Sequence, residues 1–285
     1  MQVWTTSILC LLAAAAYSRS TVGIKDIINE CLPLGRNVWW FATTYFLLLM
    51  ASPFINALIQ NLSKRKHAEM IVLMLLFWSI LGVIPHISYG GSDLSLFVMI
   101  YVIGSYMRRY VAAGSAGKWI TGCVCLLFIM MCCTILAQVL SVRFAILLGE
   151  KLRFVEKSSP LTIAAAITAL MAALSMRPRH SRVINRIASG AFGIYLFTDH
   201  PLIRPILWTN IVHTQTQFYS KALPVLMIGS VFCVFFAALA VEMLRQVIIQ
   251  KPVMLLIEST IYKAEFVSYV KRHLSRDGWR TPLIR

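Results

Sequence analysis

The chain has 285 residues, of which 59% are hydrophobic and 13% are charged, and its formal net charge is +16 at pH 7. Soluble domains carry about 25% charged residues, so this composition excludes a water-soluble globular protein and indicates a polytopic membrane protein. The basic residues lie between apolar runs and near the carboxyl end rather than in a stripe among aromatic residues. This distribution argues against nucleic acid and indicates anionic membrane lipid as the partner.

Eight continuous apolar runs predict membrane-spanning helices. Strands of a membrane barrel would instead alternate apolar and polar residues. Several runs are shorter than the roughly 20 residues that cross the hydrocarbon, so they need tilt or flanking residues. The runs cover 3–17, 39–59, 70–84, 94–107, 119–140, 161–176, 187–198 with a continuation to 208, and 224–249. The predicted fold class is all-α, a helical bundle of about eight transmembrane helices within 1–250, followed by a basic cytoplasmic juxtamembrane tail at 251–285.

The basic residues predict the orientation of these helices. With the amino terminus in the cytoplasm, two thirds of the 27 Lys and Arg residues fall on the cytoplasmic side, as the positive-inside rule requires. Both termini are therefore predicted to be cytoplasmic. An alternative is that residues 1–20 form a signal peptide. No Lys or Arg precedes that apolar run, and cleavage would leave the remaining topology unchanged.

The seven cysteines indicate neither a disulfide framework nor a metal site. Six of them lie inside apolar runs, and only Cys31 falls in a predicted loop. Their spacing offers no second pair for a zinc site, so no metal is predicted. They are interpreted as small apolar residues.

The junction between two apolar runs is the main candidate site, because Asp199, His200 and Arg204 lie there within six positions. Ionisable groups at membrane depth are costly and commonly functional. One interpretation is a polar group that lines an acceptor site at the outer end of the bundle. The alternative is that Asp199 caps a helix that begins at Pro201, while Arg204 extends to the membrane interface.

Three other polar features have simpler interpretations. Glu242 and Arg245 stand three positions apart on one predicted helix and can form an ion pair. The segment 64–67, which ends in His67, is interpreted as a solvated turn. His86 follows a proline at the end of a run and is interpreted as a loop histidine.

Four sequence blocks occur in a set order along the chain. They read WWFATTY at 39–45 with SPFIN at 52–56, LFVMIYVIGSYMR at 96–108, FGIYLFTDHPLIR at 192–204, and Glu242-x-x-Arg245. Each block alone is common in membrane helices. Together, in this order and at these gaps, they resemble the membrane-bound acyltransferase 3 family, and within it the bacterial surface-polysaccharide O-acetyltransferases.

This resemblance implies an integral protein of the bacterial plasma membrane that transfers an O-acetyl group from acetyl-CoA to a sugar hydroxyl of a cell-surface polysaccharide or glycan. The catalytic candidates are Asp199, His200 and Arg204. Arg108 and Arg109, at the inner end of a span, are the candidates for binding the phosphates of the acyl donor. The alternative for both arginines is an ordinary positive-inside anchor. Membrane lipid and the glycan acceptor are the expected partners.

The sequence also departs from the family pattern. In the family, the first span carries an Arg followed eleven positions later by a His, and no Arg of this chain has a His at that distance. The typical HDNP of the third block reads TDHP at 198–201. We therefore expect an amino-terminally shortened member that lacks two spans, has little activity alone, and has a possible partner that supplies them. The alternatives are a non-catalytic remnant, or a transporter or permease for a glycan or lipid-linked substrate, which would show an inverted repeat.

Overall fold

The computed structural model describes residues 2–18, 22–81, 92–112, 114–143, 153–177, 180–217 and 220–261, and these ranges contain helices and no strands. The helices are α1 Gln2–Tyr17, α2 Ile24–Cys31, α3 Trp40–Gln60, α4 Lys64–Leu75 with a π-helical continuation Leu76–Ile80, α5 Asp93–Tyr110, α6 Ala116–Arg143, α7 Pro160–Ser175, α8 Arg182–Thr198, α9 Ile203–Pro205 with a π-helical continuation Ile206–Ile211, α10 Thr214–Gln217, α11 Leu223–Arg245 with a π-helical continuation Gln246–Gln250, and α12 Lys251–Ile261. A short 3₁₀ turn covers Arg153–Val155.

Serine side chains begin several of these helices. The Ser63, Ser92 and Ser181 hydroxyls each accept a hydrogen bond from the backbone N–H three residues later. Each bond satisfies one of the N–H groups that a helix start leaves without an intrahelical partner. Pro160 occupies the first turn of α7, where its missing N–H costs nothing. Helix starts are thus encoded locally.

The all-α prediction is confirmed, and within the described residues each of the eight apolar runs overlaps a helix. Among the described residues, three helical segments are long and apolar enough to cross a membrane: Trp40–Gln60, Ala116–Ser141 and Leu223–Leu256. The helices Gln2–Tyr17 and Pro160–Ser175 are apolar but shorter. The count of about eight spans and the cytoplasmic termini stay predictions. Of the predicted tail at 251–285, residues 251–261 form helix α12. His86 and residues 262–285 lie outside the described residues.

The prediction of a loop around Cys31 is wrong, because Cys31 is the last residue of α2. The segment repeats apolar residues at helical spacing, namely Ile24, Ile27, Ile28 and Cys31. The segment has only eight residues, several of them polar, and it was therefore not recognised as an apolar run.

The chain divides into two compact units. Unit 1 comprises Met1–Trp39 and Ser181–Arg285, and it contains α1, α2 and α8 to α12. In unit 1, α8 packs against α11 and α1, and Ile194, Ala238 and Leu239 form the centre of its apolar core.

Unit 2 comprises Trp40–His180, and it contains α3 to α7. Helix α5 packs against α3 and α4, while α6 packs against α7. The buried core joins four residues of α5 to two of α7: Leu96, Met99, Ile103, Met107, Ile163 and Met171.

Candidate functional site

A helix break between α8 and α9 places one ionisable side chain in the interior of unit 1. Helix α8 ends at Asp199, whose φ of −98° and ψ of 5° depart from helical values. The His200 carbonyl oxygen then accepts hydrogen bonds from the N–H groups of Ile203, at 3.0 Å, and Arg204, at 2.8 Å. His200 therefore lies in the break just before α9, and its side chain points inward with no exposed surface.

Both ring nitrogens of His200 have hydrogen-bond partners. The Nδ1 atom accepts the backbone N–H of Leu202 at 3.2 Å. The Nε2 atom lies 3.0 Å from the Glu30 Oε2 atom. Because Nδ1 acts as an acceptor, the geometry assigns the ring proton to Nε2, which donates it to the carboxylate.

Glu30 comes from α2, and its side chain is buried with His200. The Ser7 hydroxyl of α1 lies 2.9 Å from the Glu30 backbone oxygen and also contacts the Glu30 carboxylate. A buried carboxylate is costly unless donors compensate for the lost water. Ser7 and His200 supply those donors, so three separate segments of the chain meet at one carboxyl group.

Trp39 closes one side of this arrangement. Its indole Nε1–H donates to the Leu196 carbonyl oxygen at 2.8 Å. Its ring packs edge-on against the His200 imidazole, with 5.1 Å between the ring centroids. Ser7, Glu30, Trp39 and His200 are called the Glu30 cluster below. The cluster joins a carboxylate to an imidazole, two groups that commonly act in general acid–base catalysis.

The other two candidates of the junction lie outside the Glu30 cluster. The Arg204 Nη1 atom is 3.7 Å from the Asp199 Oδ1 atom, and their side chains are 66% and 33% exposed. Asp199 ends α8, and it is the His200 side chain that accepts an N–H at the start of the next helix. The interpretation of Asp199 as the cap of that helix is therefore wrong. Exposed ion pairs of this kind contribute little stability.

Glu242 and Arg245 form the predicted ion pair, and both side chains are almost completely buried. Two parallel hydrogen bonds join them, Nε to Oε2 and Nη2 to Oε1, each 2.7 Å long. Four further side chains, those of Gln2, Thr5, Gln246 and Gln250, also form hydrogen bonds with this carboxylate or this guanidinium. The sequence predicted the pair but not this network.

Gly193 of α8 allows the close approach of the buried carboxylate. A Cβ atom at position 193 would lie 2.2 Å from Glu242 Cδ, and Arg245 holds that carboxylate in place. We expect Gly193→Ala to destabilise the protein by about 1–3 kcal/mol through overpacking. Thermal unfolding in bilayer discs measures this effect.

Gly229 of α11 provides the matched control, because a Cβ there meets no atom within 4 Å. Gly229→Ala should leave stability unchanged or raise it by up to about 1 kcal/mol, the helix propensity difference between Ala and Gly. Equal effects of the two substitutions would contradict the close contact at Gly193.

Arg108 and Arg109 lie in the last turn of α5, in unit 2. Their positive charges there interact favourably with the negative end of the helix dipole. Both side chains are exposed, and the Arg109 Nη1 atom also donates to the Ile59 carbonyl oxygen at 3.0 Å. Arg109 therefore has a structural contact at the end of α3.

The interpretation of 64–67 as a solvated turn is wrong, because these residues begin helix α4 and His67 has no exposed surface. The ring packs edge-on against Tyr106 and Tyr110. Its Nε2 atom lies 3.1 Å from the Val102 carbonyl oxygen. Within the part of the chain that the structure describes, its Nδ1 atom has no hydrogen-bond partner. Because three charged residues precede His67, the sequence pattern indicated an exposed position.

The family-like blocks meet in the structure. Within unit 1, Trp39 of the first block contacts His200 of the third, and Gly193 of the third abuts Glu242 of the fourth. Within unit 2, the Tyr101 hydroxyl donates to the Asn56 Oδ1 atom at 2.9 Å. These contacts join residues that the resemblance singled out from separate parts of the chain.

Comparison with known proteins confirms the resemblance. A family model described as an acyltransferase domain, that of acyltransferase 3, matches residues 3–244. The match covers all six positions just discussed, from Trp39 to Glu242. Neither a curated protein nor a solved structure shows a significant match to the chain.

Proposed function

The chain belongs to the acyltransferase 3 family, and from this premise we propose that it carries the machinery of a membrane O-acyltransferase. The proposed reaction moves an acetyl group from acetyl-CoA to a sugar hydroxyl of a bacterial cell-surface polysaccharide or glycan. The proposed location is the bacterial plasma membrane, with both termini in the cytoplasm. The Glu30–His200 pair is the observation that carries the catalytic part of this proposal.

Acyl transfer to a hydroxyl requires a base for the hydroxyl proton. In the proposed step, the acceptor oxygen attacks the thioester carbonyl carbon while its proton passes to Nδ1 of His200. The C–S bond then breaks, and the departing thiolate of CoA takes the proton from His200. Glu30 stabilises the imidazolium in between, because its carboxylate already accepts the Nε2–H.

The hydrogen bond at Nδ1 sets a condition on this step. Nδ1 accepts the Leu202 N–H at 3.2 Å, and it cannot take a proton while that N–H points at it. The reactive conformation therefore requires the first turn of α9 to open. A short segment between two helices, followed by a π-helical stretch at Ile206–Ile211, is suited to such a change.

The acyl donor carries phosphate groups, which bind guanidinium groups well. Arg108 and Arg109 are the proposed ligands for these phosphates, and both side chains are exposed. The family's Arg-x10-His pair has no counterpart among the 285 residues. We propose that a partner or additional spans supply it, and that the chain alone has little transferase activity.

The test is acetyl transfer by the chain in lipid bilayers. Radiolabel is followed from acetyl-labelled acetyl-CoA into a bacterial surface-glycan fraction. The chain is compared alone and joined at Met1 to the two-helix Arg-x10-His segment of another family member. We expect transfer by the joined protein and little by the chain alone. A joined protein whose segment carries Ala in place of the His is the matched control.

Two results would refute parts of the proposal. If the joined protein folds and binds acetyl-CoA but transfers no label to any glycan fraction, the proposed reaction is wrong and the chain is a non-catalytic member. If the chain alone transfers label as fast as the joined protein, the Arg-x10-His pair is not needed.

A further inference from the structure

A groove in unit 2 has the layout of a lipid-binding site. It lies between α5 and α7 and has a volume of about 240 Å³. Its walls are almost wholly apolar, and two polar residues, Lys157 and Thr162, also line it. Because an α-helix rises about 1.5 Å per residue, the lining from Thr162 to Leu170 extends for about 12 Å. The groove is therefore long, narrow and apolar, as a hydrocarbon chain requires.

A glycine keeps the groove open. Gly104 lines it, and a Cβ atom built at this position meets nothing within 4 Å. Close packing therefore requires a glycine at position 193 but not at position 104. The space beside it belongs to the groove itself, and a larger side chain at 104 would fill it without displacing a neighbour.

The mouth of the groove carries charge. The Lys157 ammonium lies 4.2 Å from the centre of the Trp40 ring and forms an ion pair with Asp93. Lys157 is about half exposed, so its ammonium remains accessible to a further anion. Tryptophan and lysine together are typical of the headgroup level of a membrane.

A hydroxyl lies between this charge and the apolar part. The Thr162 Oγ1 atom is buried and has no hydrogen-bond partner among the residues that the structure describes. A buried hydroxyl without a partner is costly, so an acceptor from a bound molecule would stabilise it. Thr162 follows Lys157 by five residues, and the apolar lining begins directly after it at Ile163.

We propose that this groove binds one membrane phospholipid. The order of the lining matches the order of groups in that molecule. Lys157 pairs with the phosphate, the Thr162 hydroxyl donates to an ester carbonyl of the glycerol backbone, and one acyl chain lies along α5 and α7 beside Gly104. Asp93 beside Lys157 favours a headgroup that also carries an amine, so phosphatidylethanolamine is the expected lipid. The site is independent of the proposed acyl transfer.

The experiment measures lipid retained by the full chain in detergent, by native mass spectrometry. The protein is first equilibrated with vesicles of phosphatidylethanolamine, of phosphatidylglycerol, or of phosphatidylcholine containing diacylglycerol. We expect one retained phosphatidylethanolamine per chain, weaker retention of phosphatidylglycerol, and no retained diacylglycerol. Gly104→Leu should lower retention at least tenfold, because leucine fills the groove. Lys157→Gln should weaken retention of phosphatidylethanolamine and of phosphatidylglycerol.

Gly229→Leu is the matched control, since it adds the same side chain at a helix position with equally open surroundings. It should retain lipid like the unmodified protein. Wild-type retention by Gly104→Leu would overturn the groove as the site. Retention of diacylglycerol equal to that of phosphatidylethanolamine, or unaltered retention by Lys157→Gln, would overturn the phosphate contact. Folding of each variant is checked by tryptophan fluorescence, and Thr162→Val provides a second, conservative test of the ester contact.

Discussion

Replacing Glu242 with Gln should lower the free energy of unfolding by about 3–5 kcal/mol, because removing one partner of a buried ion pair leaves the other charge uncompensated. Arg245 is 2% exposed, so water cannot replace the lost carboxylate. Its remaining acceptors, Thr5 and Gln250, are neutral. Equilibrium unfolding in mixed micelles, followed by tryptophan fluorescence, measures the loss.

Two comparisons make this result specific. Glu69→Gln breaks the Arg65–Glu69 pair, whose side chains are 90% and 57% exposed, and should cost at most about 0.5 kcal/mol. The double substitution Glu242→Met with Arg245→Met should recover much of the loss, since apolar residues of similar volume commonly replace a buried pair. If Glu242→Gln costs no more than Glu69→Gln, the neutral acceptors suffice for Arg245.

The second large effect concerns His200. In the chain joined to an Arg-x10-His segment, His200→Gln should lower kcat by about 10²–10⁴-fold, the usual contribution of a general base. The glutamine amide retains a donor for Glu30, so much of the packing is preserved. The kcat of the variant is measured across pH and divided by the kcat of the unmodified joined protein. This comparison distinguishes loss of the base from misfolding of the site.

Asp199→Asn is the control at the neighbouring position. Its side chain is one third exposed and its contact with Arg204 is long, so transfer should remain close to normal. Glu30→Gln should also slow transfer, because a neutral amide no longer stabilises the imidazolium, while His200 keeps its ring. Normal transfer by His200→Gln would show that another group takes the proton. Loss in Asp199→Asn equal to that in His200→Gln would favour a polar cavity at the junction.

The helices and the Glu242–Arg245 pair followed from the sequence because both depend on local spacing. Lipid requires each backbone polar group to bond within its own segment, so a continuous apolar run has few alternatives to a helix. Glu242 and Arg245 lie on adjacent turns of one helix. Serine caps act over three residues and are equally local.

The Glu30 cluster did not follow from the sequence, because its members come from distant segments. Glu30 and His200 are 170 positions apart, and Trp39 and Leu196 are 157 apart. Hydrophobic spacing indicates which residues form helices but not which helices adjoin. A glutamate within a short amphipathic segment was the only local sign. The third block identified the junction that contains His200, but it did not distinguish His200 from Asp199 and Arg204.

The burial pattern of helix α2 is the reverse of that in an amphipathic helix of a soluble protein. It buries Glu30 and exposes Ile24, Ile27 and Ile28. Bilayer hydrocarbon or a detergent tail must therefore solvate the isoleucines for the carboxylate to stay beside His200. The lipid or detergent around α2 therefore helps to hold Glu30 beside His200, and the stability of this contact should change with the amphiphile chosen.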